Sequence, residues 1–290
     1  MNDDIHMIER PEFPVTLKNM KSPPRKLYVR GKMPENEDQR YLCIIGSRRY
    51  TNYGRDAVNK IVKGLQGYPI TIVSGLAIGI DSIAHMAALE AGLNCAAFPG
   101  SSLEWDRIYP PSRLHLAHKI VESGGALISR WNKESPMGKW AFPYRNTLMA
   151  GLADATLIIE ASRGSGSLMT AKYAEDFDRI IMAVPGPINN AQSYGPHMLL
   201  KRGAVLVESA DDILQEFGFE TRGRDRNRDA EVAKLDDVSS KIFAALSLEQ
   251  LEIDELALKI GLESSVLNEK LSLLELQGLI KIEGVTAKIA

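Results

Sequence analysis

Short, unbroken apolar runs punctuate this chain, and their spacing narrows the folds open to it. YLCIIG begins at Tyr41, ITIVSG at Ile70, NCAAFPG at Asn94, ALIS at Ala126, ATLIIEA at Ala155, RIIMAVPG at Arg179 and AVLVES at Ala204. Each run is strand-length and lacks polar alternation, the pattern of strands covered on both faces. Amphipathic stretches lie between them: RDAVNKIVKGL, DSIAHMAALEAG closed by Gly92, residues 112–121, RNTLMAGLA, SLMTAKYAEDF, PHMLLKRG and ADDILQEFG. Strand–helix repetition with short loops predicts an α/β fold: an extended Rossmann-like, doubly wound and mostly parallel sheet over residues 41–218. Such sheets bind ligands at the carboxyl ends of their strands. The Pro- and charge-rich residues 1–40 read as an extended lead-in, partly packed on the main domain, with one short strand over 27–30.

A chain of 290 residues suggests a second domain. Residues 219–235 have no apolar period and carry Arg222, Arg224, Arg226 and Arg228 in alternation, so they read as a solvated linker. Residues 236–290 follow with three helical patterns, VSSKIFAALSL, IDELALKIGL and SSVLNEKLSLLELQGL, and then two strands, LIKIEG and TAKIA. That order predicts a small C-terminal winged-helix domain. Its second recognition-type helix carries Lys270 against Glu269 and Glu275, and residues 235–290 hold 5 basic and 10 acidic residues. An acidic module repels duplex phosphates, so a protein-contact role is expected, with Leu267, Leu271 and Leu274 forming the domain's own core.

The net charge of −2 conceals a basic surplus in residues 41–150, with 12 Lys and Arg against 7 Asp and Glu. A local field of that sign suits a nucleic-acid partner. No apolar run approaches a membrane span, and the polar, acidic start is neither a secretory signal nor a transit peptide. Cys43 and Cys95 sit in strand runs with no ligand-spaced partner, as expected of buried, inert thiols in a reducing cytoplasm. No metal or cofactor is expected.

Four segments carry chemistry. In IIGSRRYTNYG, Gly46 and Ser47 follow a strand directly, so main-chain amides at the next helix form an anion site beside Arg48; the glycine spacing is not that of a dinucleotide fingerprint. In IVSGLAIGIDSIAH, Gly75 and Gly79 permit a tight turn. Asp81 and His85 lie four apart on a helix face without a third metal ligand, so Asp81 reads as a cap and His85 as a hydrogen-bonded structural residue. In GKWAFPYRN, Lys139, Arg145 and Asn146 interleave with Trp140, Phe142 and Tyr144, the mixture that suits single-stranded nucleic acid; Trp140 and Tyr144 taken singly read as core aromatics. RGSGSLMTAK lacks the Gly-Lys tail of a P-loop and the G-x-S-x-G elbow of a hydrolase. It leaves Arg163, Ser165, Gly166, Ser167 and Thr170 as a nest at a helix start, suited to a phosphate oxygen. FPYRN and RGSGS bracket the strand ATLIIEA, so both are expected at one edge of the sheet.

IIGSRRYTNYG, IVSGLAIGIDSIAHMAAL, FPYRN, GSGSLMTAKYA, AVPGP and RGA, in this order, resemble the DNA-processing protein A family (DprA, also called Smf) over about residues 13–218. The resemblance implies a Rossmann-like domain that binds single-stranded DNA without sequence preference, loads the RecA recombinase onto that strand, and forms a homodimer, in natural transformation or recombination. It also implies that Arg48, Lys139 and Phe142 line the DNA pocket. The family often has a second arginine where Thr147 stands and an acid where Arg130 stands. The rival expectation is a nucleotide-cleaving enzyme related to nucleoside-monophosphate phosphoribohydrolases. Its Gly-Gly-x-Gly-Thr-x-x-Glu turn corresponds here to GSGSLMTA, which lacks the glutamate, so Asp81 and Glu160 are the only nearby acids for acid/base work.

Overall fold

The computed structural model describes residues 4–33, 38–136, 138–220, 232, 235–248 and 250–289. Two compact units divide at residue 219. The four-arginine segment lies outside the described residues.

In chain order the first unit runs β1 (Ile5–Glu9), α1 (Val15–Lys18), β2 (Lys26–Gly31), β3 (Arg40–Ile45), α2 (Asn52–Gly64), β4 (Ile70–Ser74), α3 (Ile80–Glu90), β5 (Asn94–Ala97), α4 (Leu114–Glu122), β6 (Ala126–Ser129), α5 (Ala141–Leu152), β7 (Ala155–Ile158), α6 (Gly166–Asp176), β8 (Ile180–Ala183), α7 (Tyr194–Leu200), β9 (Val205–Leu206) and α8 (Ala210–Glu216). The strands form one nine-stranded sheet in the order β1-β2-β6-β5-β4-β3-β7-β8-β9. Pairing is parallel from β6 through β9, and antiparallel where β2 joins β6 and β1 joins β2. The mostly parallel α/β sheet expected from the apolar runs is therefore present.

The lead-in contributes two strands where the sequence reading expects one. β1 is half-exposed along its length, and such an edge strand gives no continuous apolar run. β3 illustrates why the inner strands read as unbroken hydrophobic stretches. Leu42 and Ile44 enter one core with α2, α3 and α4, while Tyr41, Cys43 and Ile45 enter a second core with α1, α5 and α6. Both cysteines are buried and unpaired, and burial pushes the Cys95 thiol up to about 12.

Winding runs outward from β3 in both directions, through β4 on one side and β7 on the other. The switch point lies between β3 and β7, and a crevice opens at their carboxyl ends. α5 starts earlier than the apolar period suggests. Its first residues are AFPYRN, because Pro143 falls in the first turn, where a missing N–H costs nothing. The FPYRN segment is thus helical, and its start faces the crevice.

The second unit contains α9 (Asp237–Leu248), β10 (Leu251–Glu252), α10 (Ile253–Ile260), α11 (Ser264–Leu276), β11 (Ile280–Glu283) and β12 (Thr286–Ile289), with sheet order β10-β12-β11. Leu267, Leu271 and Leu274 of α11 are buried in this unit's own core.

Candidate nucleic-acid interface

The crevice at the switch point is a cleft of about 540 Å³. Gly46, Ser47 and Arg48 enter it from the end of β3; Ser165, Gly166, Ser167 and Thr170 from the start of α6; Phe142, Arg145 and Asn146 from the start of α5. The two polar segments flanking β7 meet at this edge because α5 and α6 both run antiparallel to the strands they connect. Ser165 caps α6 by accepting from the Ser167 amide at 3.3 Å, and the Ser167 hydroxyl donates to the Gly46 carbonyl at 3.0 Å. The first turn of α6 thereby presents its amides beside the β3 loop, an arrangement that favours an anion.

Arg48 is exposed and makes no hydrogen bond or ion pair among the described residues. Its loop rests on Gly79, whose φ of 100° is open to glycine; a Cβ there would lie 2.4 Å from the Ser47 carbonyl oxygen. Arg145 is placed differently. It is buried, and its guanidinium donates to the Gly75 carbonyl at 2.7 Å, the Phe98 carbonyl at 3.5 Å and the Asn146 side-chain oxygen at 3.2 Å. Gly75 lies between this guanidinium and the Asp81 carboxylate; a Cβ would come within 2.7 Å of one and 2.6 Å of the other. Asp81 accepts from the Gly75 amide at 3.2 Å. Burial pushes the Asp81 carboxyl up, with Arg145 pulling the other way, and burial likewise pulls Arg145 down against the attraction of Asp81. Arg145, Asp81 and Gly75 form the internal brace of the cleft, and Asp81 caps the preceding loop instead of its own helix end.

The helix start after β3, expected to take an anion through its amides, already holds one. Glu160, at the end of β7, accepts from the Thr51 amide at 2.8 Å and the Thr51 hydroxyl at 2.6 Å. It presses so closely on α2 that a Cβ at Gly54 would lie 2.5 Å from its carboxylate. An internal carboxylate thus fills the place where a dinucleotide pyrophosphate sits in other sheets of this topology, and Arg48 is the exposed cation of that loop.

Phe142 forms the wall opposite α6. Its ring is 5.5 Å from that of Tyr109, which is 50% exposed, and a small notch beside Arg48 is lined by both. Tyr109 escaped the sequence reading, although it lies in the loop after β5, another carboxyl edge where ligand contacts are expected. Lys139 and Arg163 do not line the cleft. Lys139 is exposed in the turn before α5, and Arg163 stands at the rim 5.8 Å from the Tyr194 ring. His85 is wholly buried, a structural residue as expected from sequence. Burial pulls its imidazole down to about 4, and a weaker hydrogen bond with the Ser74 main chain opposes it. Among the described residues no cluster of side chains could hold a metal ion, and no helix is long and apolar enough to cross a membrane.

Two family profiles match the chain. One, described as DNA recombination-mediator protein A, covers residues 4–218, and the other, the DprA winged helix domain, covers residues 226–283. The chain is 38% identical over 196 residues to protein Smf of Escherichia coli, spanning 68% of this chain and 52% of that protein, about half the relative's length. It is 36% identical over 207 residues to DNA processing protein DprA of Streptococcus pneumoniae, covering 71% of this chain and 72% of the relative. The X-ray structure of the S. pneumoniae protein superposes with a TM-score of 0.67 at 32% identity, covering 76% of each chain. A Helicobacter pylori DNA processing protein A, described for its single-stranded DNA binding mode, superposes with a TM-score of 0.63 at 28% identity, covering 73% of this chain and 94% of the other. With a profile matched along nearly the whole first unit and a second on the winged helix, the chain belongs to the DNA recombination-mediator protein A (DprA/Smf) family.

Proposed function

We propose that this chain binds single-stranded DNA without sequence preference in the cleft between β3 and β7, and that it hands the strand to RecA recombinase as a homodimer. The observation that carries the reading is an unpaired, exposed Arg48 set between the α6 amides and the Phe142 ring. Arginine and main-chain amides take phosphates, a ring stacks on any base, and none of these groups reads a base edge. Lys139 extends the positive field at the entrance. The recombinase step and the dimer rest on kinship with recombination mediators.

The reading is of a binding protein and not of a nucleotide-cleaving enzyme. Glu160 is committed to Thr51 at two short bonds, and Asp81, which lines the cleft, is held by the Gly75 amide beside Arg145. Neither is left as a group free to exchange a proton with a ligand. Release of free base from nucleoside monophosphates by the purified protein would support the enzyme instead.

The test is oligothymidylate binding across a salt series. Arg48→Ala and Lys139→Ala should each weaken binding to any sequence and flatten the salt slope by about 0.7. Phe142→Ala should cost about 1–3 kcal/mol with little change in slope. Binding by all three variants equal to that of the parent protein would move the site elsewhere.

A further inference from the structure

Trp140 is 54% exposed, whereas Trp131 is 6% exposed and Trp105 partly buried. The exposed indole is nevertheless held. It stands edge-on to Trp131 at 5.8 Å, and Trp131 stands edge-on to Tyr144 at 5.9 Å. Gly138 lies against the indole, where a Cβ would come within 2.6 Å of Nε1. The Arg130 guanidinium lies 4.2 Å from the centre of the Tyr144 ring. Buried Trp131 thus touches both the open indole and the ring on which Arg130 stacks. Arg130, Lys133 and Lys139 are all exposed, and none has a carboxylate partner among the described residues. Between Arg130 and Arg145 the only acid is Glu134.

A fixed aromatic face beside unpaired cations suits a single strand, with bases stacking on the ring and phosphates meeting the charges. The shelf is continuous with the cleft. Lys139 and Trp140 lead directly into α5, whose second residue, Phe142, is a cleft wall. Side chains two apart on a helix point about 200° apart, so Phe142 faces the cleft while Tyr144 faces the shelf. The positive start of α5 lies between them.

We infer that a single strand leaving the cleft crosses the start of α5 and continues onto the shelf, with a base stacked on Trp140 and phosphates near Lys139 and Arg130. This rests on the reading of the cleft as a single-strand site. Trp140 and Arg130 are then contact residues, and Trp131 is a positioning residue.

The test uses the full chain, a twenty-nucleotide oligothymidylate and a four-nucleotide one. Tryptophan emission should fall when the long oligomer binds. Trp140→Phe should remove most of that change while binding, read by anisotropy of a labelled oligomer, persists. Trp140→Ala should weaken the long oligomer by about fivefold or more, the lower end of one base–aromatic stack, and leave the short one within about twofold. Arg130→Ala should weaken the long oligomer and flatten its salt slope. An unchanged long-oligomer affinity in Trp140→Ala, with Arg48→Ala impaired, would overturn the shelf and leave the cleft standing. A change in oligomeric state of Trp140→Ala at unchanged DNA affinity would make the patch a protein contact and overturn the proposal. Failure of the parent protein to bind either oligomer would overturn both readings together.

Discussion

Arg48 and Arg145 look alike in the sequence, each an arginine in a polar segment beside a strand, and both are expected to meet phosphate. Burial separates them. Arg48 stands free in the cleft, while Arg145 is spent on the Gly75 and Phe98 carbonyls beside Asp81. Arg48→Ala should therefore lower DNA affinity at unchanged melting temperature. Arg145→Ala should lower the melting temperature as well, by an amount corresponding to about 1–3 kcal/mol for buried groups left unpaired; thermal unfolding of the two variants side by side distinguishes them. The motif revealed which arginines lie at the sheet edge, but nothing in FPYRN tells that its arginine turns inward, because the carbonyls that receive it are 47 and 70 residues away. His85 carries a pH prediction. With its folded imidazole near 4 against an ordinary 6.5, the stability it permits is fully present above pH 6.5 and is lost as pH falls toward 4, by up to about 3 kcal/mol. Asp81, pushed up by burial, acts in the opposite direction. His85→Leu should reduce the loss of melting temperature between pH 6.5 and 4 relative to the parent protein, and an identical loss in both would remove the histidine from the account.

At the scale of elements, the cleft is assembled from three starts: the loop after β3 and the first turns of α5 and α6. The inner strands were legible because both faces are buried, which leaves continuous apolar runs. β1 was not, because an edge strand half in water has no such run, and the start of α5 was obscured by Pro143, which reads as a breaker but is tolerated in a first turn. Gly46 and Gly79 were legible as turn glycines, but the reason for Gly79 is spatial: it is the floor on which Ser47 and Arg48 rest. Gly79→Ala combines a positive φ with a Cβ 2.4 Å from a main-chain oxygen. It should displace the Arg48 loop, lowering both melting temperature and oligothymidylate affinity, whereas Gly92→Ala, with open space around its Cβ, should leave affinity intact. Equal DNA affinity of Gly79→Ala and the parent protein would show that the loop's position does not matter.

The whole molecule divides into a sheet unit that contains the cleft and a winged-helix unit in which residues 235–290 carry 5 basic and 10 acidic residues. In the second unit α11 turns Leu267, Leu271 and Leu274 into its own core, and its single lysine, Lys270, is held by Asp236 at 2.6 Å. No free cation remains on α11 to meet a phosphate. Removing everything after Phe219 should leave oligothymidylate affinity within about threefold, a shift under about 0.7 kcal/mol; a larger loss would assign part of the site to the residues that follow, the four-arginine segment among them. The proposed site for phosphates and bases of a single strand is the edge between β3 and β7, and a crystal structure of the chain with bound oligothymidylate would show it. Phosphate oxygens should lie at about 3 Å from the Arg48 guanidinium and the first-turn amides of α6, with a thymine against the Phe142 ring. A strand bound away from that edge, with Arg48 still facing solvent, would contradict it.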